Sequence, residues 1–193
     1  MGKTIYLIRH SLKEKMYGEN ESNDSTQIKD EKRILSIEGE KLAYQLSLLD
    51  EMKNIEEVWC SNYVWTIQTA KYISKGMIPL NISDSFDERH YGDFDNNINK
   101  EEFWINQFKD EELKNINGES QEDVRNRFDD KINFILDNSK NSRIAIVTHN
   151  AGTLFYLLKY CKLVGVHAKI NVATFIYNYG VIIRLHFFIF SFP

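Results

Sequence analysis

The chain has 193 residues, 42% hydrophobic and 27% charged, a composition that can bury a core and excludes wholesale disorder. Its net charge is −4 and no basic tract stands apart, which argues against nucleic acid as the main partner. Two cysteines 101 positions apart, Cys60 and Cys161, form no disulfide framework, and the N-terminus shows no signal peptide pattern, so we expect a soluble cytoplasmic protein.

Short apolar segments alternate with segments of helical periodicity along the chain. Strands are predicted at Lys3–Ile8, Glu57–Cys60, Leu80–Ile82 and Arg143–Thr148. Helices are predicted after Ser36, from Tyr63 to Lys75 with Gly76 at its end, after Ser120, and from Gly152 to Cys161. This alternation predicts an α/β fold with a largely parallel central sheet.

Two helix starts carry capping residues. Ser36 precedes a segment whose leucines recur at helical spacing, and Ser120 and Asp123 have the spacing of a capping box. The helix after Ser120 presents one apolar face, formed by Val124, Phe128, Ile132 and Ile135.

We expect a single domain over residues 1–193, with polar excursions at about 13–33 and 95–117. The first excursion, Lys13–Arg33, is rich in charges of both signs and is predicted to be a loop. The tail Val181–Pro193 is apolar, but its 13 residues are too few to span a bilayer. It is predicted to be a buried final strand that follows a hairpin turn around Asn178–Gly180.

Polar side chains follow three of the predicted strands. Arg9 and His10 end the first strand, Ser61 follows the second, and His149 and Asn150 follow the Arg143–Thr148 strand. The carboxyl ends of parallel strands lie at one edge of a sheet, so these residues are expected to converge there. Arginine fits phosphate or carboxylate oxygens, and histidine serves as nucleophile, acid, base or metal ligand.

Six segments in chain order resemble the motifs of the histidine phosphatase superfamily, also called the phosphoglycerate mutase-like family. LIRHS at Leu7–Ser11 is similar to its R-H-G signature, and IAIVTHNAG at Ile144–Gly152 is similar to its second histidine motif. The other four are LSIEG at Leu35–Gly39, SNYVWTIQTA at Ser61–Ala70, FDERHYGDF at Phe86–Phe94 and GES at Gly118–Ser120. The resemblance implies a three-layer sandwich in which helices flank a mostly parallel sheet.

The resemblance also implies a role for individual residues. His10 would be the nucleophile that forms a phosphohistidine. Arg9 and His149 would hold the phosphoryl oxygens and stabilise charge as the bond breaks. Glu88 would protonate the leaving oxygen and then activate water. Ser61 would help to shape the pocket.

Three departures from the family motifs are mild. Ser11 replaces the glycine of R-H-G, and Asn150, a further candidate for substrate binding, replaces the glycine after the second histidine. Lys13 and Met16 stand at spacings where the mutases have threonine and asparagine. This last departure favours a phosphatase over a phosphoglycerate mutase.

The fourth departure affects phosphate binding directly. Trp65 stands where the family has its second phosphate-binding arginine, and an indole offers one donor and no charge. Loss of such a partner costs roughly 1.5–3 kcal/mol, so activity lowered by about ten- to several-hundred-fold is expected. The alternative is that Arg89 or another cation fills the place.

The expected function is hydrolysis of a small phosphorylated metabolite through a phosphohistidine. Neither a metal nor a cofactor is expected, because the sequence lacks metal-ligand spacings, a P-loop and a G-x-G-x-x-G motif. Two alternatives remain: an impaired relative that binds a phosphorylated ligand or partner without turnover, and a phosphoglycerate mutase. The natural substrate and the oligomeric state are not predicted.

Overall fold

The computed structural model describes residues 2–15, 26–93 and 99–159, and the backbone of residues 163–164, 167–168, 173–177 and 180–187. The strands are β1 (Lys3–Arg9), β2 (Glu57–Cys60), β3 (Leu80–Ile82), β4 (Arg143–Thr148), β5 (Leu163–Val164), β6 (His167–Ala168), β7 (Ala173–Tyr177) and β8 (Gly180–Phe187). The helices are α1 (Thr26–Glu31), α2 (Ile37–Ser47), α3 (Val64–Ser74), α4 (Lys100–Gln107), α5 (Gln121–Asn138) and α6 (Asn150–Leu158).

Six strands form the central sheet in the order β3-β2-β4-β1-β8-β7. The first four are parallel to one another, whereas β8 pairs antiparallel with β1 and β7 antiparallel with β8. Strands β5 and β6 pair separately. The prediction of a mostly parallel sheet is confirmed, and the apolar tail contributes the strand β8 to that sheet.

Helices cover both faces of the parallel strands. Side chains alternate along β1, so that Ile5 and Leu7 face α5 and α6 while Tyr6 and Ile8 face α2 and α3. The helix residues in these two cores include Phe128 and Phe155 on the first face and Leu46 and Ile73 on the second. This arrangement is the expected three-layer sandwich.

The predicted caps are present at both helix starts. Ser36 Oγ accepts a hydrogen bond from the backbone N–H of Gly39 at 3.0 Å, and Ser120 and Asp123 form the capping box. At the end of α3 the helix stops at Ser74, and Lys75 already adopts the left-handed conformation (φ 52°) before Gly76 (φ 69°). The left-handed cap therefore begins one residue earlier than predicted.

Both polar excursions contain a helix that the sequence analysis missed. The segment 13–33 includes α1, which is short and charged, and the segment 95–117 includes α4. Neither sequence shows a regular apolar face, so periodicity gave no signal. Residues 16–25 and 94–98, with Met16 and Phe94 among them, lie outside the described residues.

Two predicted features near the C-terminus fall partly outside the described residues. The helix predicted to reach Cys161 is described to Leu158, and Cys161 lies outside the described residues. Asn178 of the predicted turn also lies outside them, but the flanking strands pair from Tyr177 and Gly180 onward, as a hairpin requires. Within the described part of the chain, no helix is both long and apolar enough to cross a membrane.

Candidate active site

The carboxyl ends of β1, β2 and β4 bring His10, Ser61 and His149 together at one edge of the sheet. The backbone N–H of His10 donates to the carbonyl oxygen of Thr148 at 2.9 Å, which joins the ends of β1 and β4. The rings of His10 and His149 have their centroids 5.1 Å apart. The two imidazoles are in edge-to-face contact, so one small group bound beside the pair can reach both.

His10 is held in a single tautomer by a carbonyl group. Its Nδ1 lies 2.7 Å from the carbonyl oxygen of Ser11, and because that oxygen only accepts, Nδ1 carries the proton. Nε2 therefore keeps its lone pair. The pKa of His10 is lowered to about 4, chiefly by burial; the charges of Arg9 and Lys13 act in the same direction, and the Ser11 hydrogen bond acts against it. The imidazole is therefore neutral at neutral pH.

His149 is buried and is fixed by the hydroxyl of Ser61. Its Nε2 shares a 2.8 Å hydrogen bond with Ser61 Oγ, which is also 2.7 Å from Thr66 Oγ1 and accepts from the Tyr63 N–H at 3.3 Å. Burial holds the pKa of His149 well below its ordinary value, and the neighbouring charges of His10, Lys13, Arg127 and Arg9 act in the same direction.

Glu88 lies against the first turn of α6, the helix that begins directly after His149. Its carboxylate accepts hydrogen bonds from the backbone N–H of Gly152 at 2.9 Å, of Arg89 at 3.0 Å and of Ala151 at 3.4 Å. The loop after β3 and the helix after β4 are thereby joined at this carboxylate. The predicted acid and the second histidine share one short structural unit.

Arg127 of α5 holds the loop that carries Glu88. Its guanidinium donates to the carbonyl oxygens of Ser85 at 2.9 Å, Asp87 at 3.0 Å and Glu88 at 3.3 Å. It also forms a two-point ion pair with Glu119, at 2.7 and 2.9 Å. Glu119 belongs to the GES motif, so that motif and α5 together fix the loop.

Trp65 lies beside both histidines. Only 1% of the residue is exposed, and its ring centroid is 5.2 Å from that of His10 and 6.0 Å from that of His149. Its indole N–H has no hydrogen-bond partner among the described residues. Two cations lie over its face, the Nζ of Lys13 at 4.1 Å and the guanidinium of Arg33 at 5.8 Å from the ring centroid, whereas the Arg89 guanidinium lies over the rings of Tyr91, Trp104 and Phe155.

The two remaining predicted residues, Arg9 and Asn150, are exposed at the same edge of the sheet. In the described part of the chain the Arg9 guanidinium makes no hydrogen bond or ion pair, and Asn150 is the first residue of α6. The structure brings neither side chain into the contacts that join the histidines. Their role in binding substrate stays a prediction.

Ser11 is accommodated without backbone strain. It is buried, its φ is not positive, and its hydroxyl donates to the carbonyl oxygen of Gly39 at 2.7 Å. The glycine of LSIEG is required by this close approach, because a Cβ at Gly39 would lie 1.9 Å from the carbonyl oxygen of Leu12. The first histidine motif thus packs directly on the start of α2.

The rings of His10, Tyr63, Trp65 and His149 contact one another and form the ring cluster. A cavity of about 790 Å³ adjoins this cluster. It meets the cluster at Tyr63, whose ring is 4.5 Å from that of His149, and at Asp30, which binds Lys13. Both polar excursions contribute to its walls, through Gln27 and Asp30 from the first and Lys100, Trp104 and Asn117 from the second. The other residues that line it are Arg89, Tyr91, Gly92 and Asp93.

The described residues include no group of three or more His, Cys, Asp or Glu side chains arranged to hold a metal ion. Polar groups beside the rings include the Ser61 hydroxyl, hydrogen-bonded to His149, and the ammonium of Lys13 over Trp65. These suit the binding of an anion.

Sequence reasoning missed Lys13 and Arg127 as members of this site. Lys13 was noted only because it departs from the mutase spacing, and its place three residues after His10 was the available signal. Arg127 had no signal of its own, because its carbonyl partners are about 40 residues away in sequence. Both roles depend on tertiary contacts.

The fold and this edge of the sheet define an α/β protein with two histidines at parallel strand ends. A family model of the histidine phosphatase superfamily (branch 1) matches residues 5–175. The chain belongs to this superfamily, as its motifs predicted. No curated protein matches the chain in sequence.

Several solved structures share the fold at low sequence identity. A mycobacterial glucosyl-3-phosphoglycerate phosphatase has a TM-score of 0.65 and 16% identity, over 85% of this chain and 82% of that one. A structure described as a putative alpha-ribazole-5'-P phosphatase from Escherichia coli has a TM-score of 0.61 and 19% identity, over 82% and 79%. YhfR of Bacillus stearothermophilus has a TM-score of 0.61 and 16% identity, over 89% and 96%.

Proposed function

We propose that the protein is a phosphomonoesterase that hydrolyses a small phosphorylated metabolite through a phosphohistidine on His10. The observation that carries this proposal is the state of His10. Its imidazole is neutral, its Nδ1–H donates a hydrogen bond to the Ser11 carbonyl, and its Nε2 keeps its lone pair. Membership of the superfamily and the phosphatases among the structural neighbours support the same activity.

The proposed reaction has two steps. In the first, Nε2 of His10 attacks phosphorus, the bond from phosphorus to the ester oxygen breaks, and that oxygen takes a proton from Glu88. In the second, water attacks phosphorus and gives a proton to Glu88, and the bond from phosphorus to Nε2 breaks, which releases neutral His10 and inorganic phosphate. Arg9 and His149 bind the phosphoryl oxygens in both steps.

The cavity supports a small substrate with polar and aromatic contacts. Its walls carry the rings of Tyr63, Tyr91 and Trp104 together with carboxylates and cations. In this proposal the phosphoryl group binds at the histidines and the leaving group occupies the cavity.

One observation favours a second candidate, a protein that binds a phosphorylated ligand without turnover. Trp65 is a buried neutral ring at the place where the family has a phosphate-binding arginine. A site with less positive charge stabilises the transition state less than it would with that arginine.

Phosphate release from p-nitrophenyl phosphate and from a panel of small phosphorylated metabolites tests the proposal. Wild-type protein is expected to release phosphate, and His10→Ala to lower the rate by about a thousandfold or more. His90→Ala, which removes an imidazole outside the ring cluster, is the control. Binding of phosphate without release from any substrate would favour the second candidate, and transfer between glycerate positions would favour a mutase.

A further inference from the structure

The ring cluster has little positive charge of its own. Burial lowers the pKa of both His10 and His149, so both imidazoles are neutral near pH 7. Trp65 is neutral as well. A phosphate monoester carries up to two negative charges at this pH, and charged donors bind such oxygens about twice as strongly as neutral ones. A site served by Arg9 alone would leave one of these charges unmatched.

Lys13 places an ammonium group on the face of Trp65. Its Nζ is 4.1 Å from the ring centroid, well inside the ~6 Å range of cation–π attraction. The ring itself is fixed, because Trp65 is 1% exposed and contacts the rings of Tyr63 and His10 at 5.1 and 5.2 Å. The indole therefore acts as a rigid support for a flexible lysine side chain.

The backbone of Lys13 is also fixed close to the nucleophile. Lys13 follows His10 by three residues and forms a β-bridge with Leu35, and the N–H of Glu14 donates to the carbonyl of Ile34 at 2.9 Å. The loop after β1 is thus paired with the segment before α2. Lys13 is one of the charges that lower the pKa of both histidines, as expected for an ammonium near both rings.

Asp30 orients the ammonium without using all of its donors. Its two carboxylate oxygens are 2.8 and 3.0 Å from Lys13 Nζ, and Arg33 binds the same carboxylate at 3.0 Å. An ammonium has three N–H donors, so at least one remains for another acceptor. Arg33 neutralises part of the Asp30 charge, which leaves the group of three residues with a net charge of +1.

Arg89, the other cation considered for this place, is engaged elsewhere. Its guanidinium lies 5.0 Å from the ring of Tyr91 and 5.1 Å from that of Phe155, and it donates to the side-chain carbonyl of Gln107. It lines the wall of the cavity formed with α4, and the largest charge effects on the pKa values of the two histidines come from other residues, Lys13 among them.

We propose that Lys13, seated on the indole face of Trp65, is the second phosphoryl-binding cation of this site, and that Trp65 is its positioning residue. The proposal rests on the proposed phosphatase function. A lysine from the loop after β1 then supplies the charge that the family places on α3. The tryptophan does not abolish activity, because its ring holds the replacement cation.

Binding of inorganic phosphate and turnover of p-nitrophenyl phosphate test this assignment in parallel. Lys13→Met keeps the unbranched side chain up to the position of Cε and removes the charge, and it is expected to weaken phosphate binding and to lower kcat/KM by about ten- to a hundredfold. Lys13→Arg keeps the charge, and its phosphate affinity and kcat/KM are expected to stay within about fivefold of the wild-type values. Lys15→Met, an exposed lysine two residues further on, is the matched control and is expected to change neither value.

Trp65→Arg in two backgrounds separates a binding role from a structural one. In wild type the new guanidinium would lie against the Lys13 ammonium, so little gain in phosphate affinity is expected. In the Lys13→Met background the same change supplies the missing cation and is expected to raise phosphate affinity at least tenfold. If the role of Lys13 is purely structural, Trp65→Arg should change phosphate affinity by the same factor in both backgrounds. Melting temperatures of all variants show which of them are folded.

The two readouts keep this proposal distinct from the phosphatase proposal. If wild type is inactive but Lys13→Met loses phosphate affinity and Lys15→Met does not, the Lys13 assignment holds and the phosphatase proposal fails. If wild type is active and folded Lys13→Met behaves like Lys15→Met in both readouts, the assignment is overturned and the phosphatase proposal stands. Failure of wild type to bind phosphate at millimolar concentration overturns both.

Discussion

Burial and single hydrogen bonds define the chemistry of the individual side chains at the site. His10 is neutral because it is desolvated, and the Ser11 carbonyl holds its proton on Nδ1, which leaves the lone pair on Nε2. Glu88 differs, since backbone amides hold its carboxylate beside the start of α6. In the proposed reaction His10 must be unprotonated at Nε2, and Glu88 must carry a proton that it can give to the leaving oxygen.

Glu88→Gln tests the assignment of the acid at the residue scale. The amide keeps the size and an acceptor oxygen but has no proton to transfer to a leaving oxygen. Hydrolysis of an alkyl phosphate such as glycerol 2-phosphate is expected to slow by about 10²–10⁴-fold, and that of p-nitrophenyl phosphate by much less, because p-nitrophenolate leaves without a proton. Comparing kcat/KM for the two substrates is the measurement. Equal slowing of both would show that Glu88 is not the acid.

At the scale of elements, α5 determines where the Glu88 loop lies. Arg127 projects from this helix and reaches three carbonyl oxygens of the loop as well as the carboxylate of Glu119. The ion pair holds the pKa of Glu119 below its ordinary value, against the burial that would raise it. The helix α5, the GES motif and the Glu88 loop therefore form one hydrogen-bonded unit.

Arg127→Lys tests whether this unit positions the acid. A lysine keeps the charge but cannot reach several carbonyls and a carboxylate in the planar geometry of a guanidinium. We expect a lower melting temperature and a loss of kcat/KM of about ten- to a hundredfold for an alkyl phosphate, with a smaller loss for p-nitrophenyl phosphate. Arg125→Lys on the same helix, where the ion pair reaches the exposed carboxylate of Glu111, is the control. Equal losses for both substrates would indicate a structural role alone.

At the scale of the whole molecule, buried titratable groups link stability to pH with opposite signs. The folded pKa of His10 is about 4 against an ordinary 6.5, so the unfolded chain binds more protons there and this contribution to the unfolding free energy falls as the pH drops from about 6.5 to 4. Burial raises the pKa of Asp87 from 3.8 to about 7, partly offset by a hydrogen bond from the Asn62 N–H. Its contribution therefore falls as the pH rises from about 4 to 7.

Asp87→Asn isolates the second of these contributions. The amide keeps an acceptor for the Asn62 N–H and cannot ionise, so its stability relative to wild type is expected to rise between pH 4 and pH 8, by up to about 4 kcal/mol. Denaturant unfolding of both proteins at several pH values is the measurement. Asp130→Asn, an exposed carboxylate on α5, should show no comparable trend. A relative stability independent of pH would mean that Asp87 titrates normally in the folded protein.

Local sequence signals predicted the parallel strands of the central sheet and the starts of two helices. The strands β1, β2 and β4 showed as apolar runs, and Ser36 and Ser120 marked helix starts by capping chemistry that involves only neighbouring residues. The rule that parallel strands end at one edge then indicated that His10 and His149 would meet. Those rings do lie 5.1 Å apart.

The features that escaped prediction depend on contacts between distant segments. The stacking of Lys13 on Trp65 joins residues 52 positions apart, and the Glu88 carboxylate meets the amide of Gly152 across 64 positions. Residue type alone does not select such partners from a chain with 24 basic and 28 acidic side chains. The helix α1, which carries Asp30, gave no periodic signal because its burial is too shallow to require an apolar face.

Trapping the covalent intermediate tests the central claim most directly. Protein mixed with ³²P-labelled substrate and quenched rapidly in alkali should carry phosphate that is stable in base and lost in acid, as a phosphoramidate is. His10→Ala should carry none, and peptide mapping should place the label on the segment containing His10. Label that survives acid, or that persists in His10→Ala, would contradict a phosphohistidine at His10 and with it the proposed mechanism.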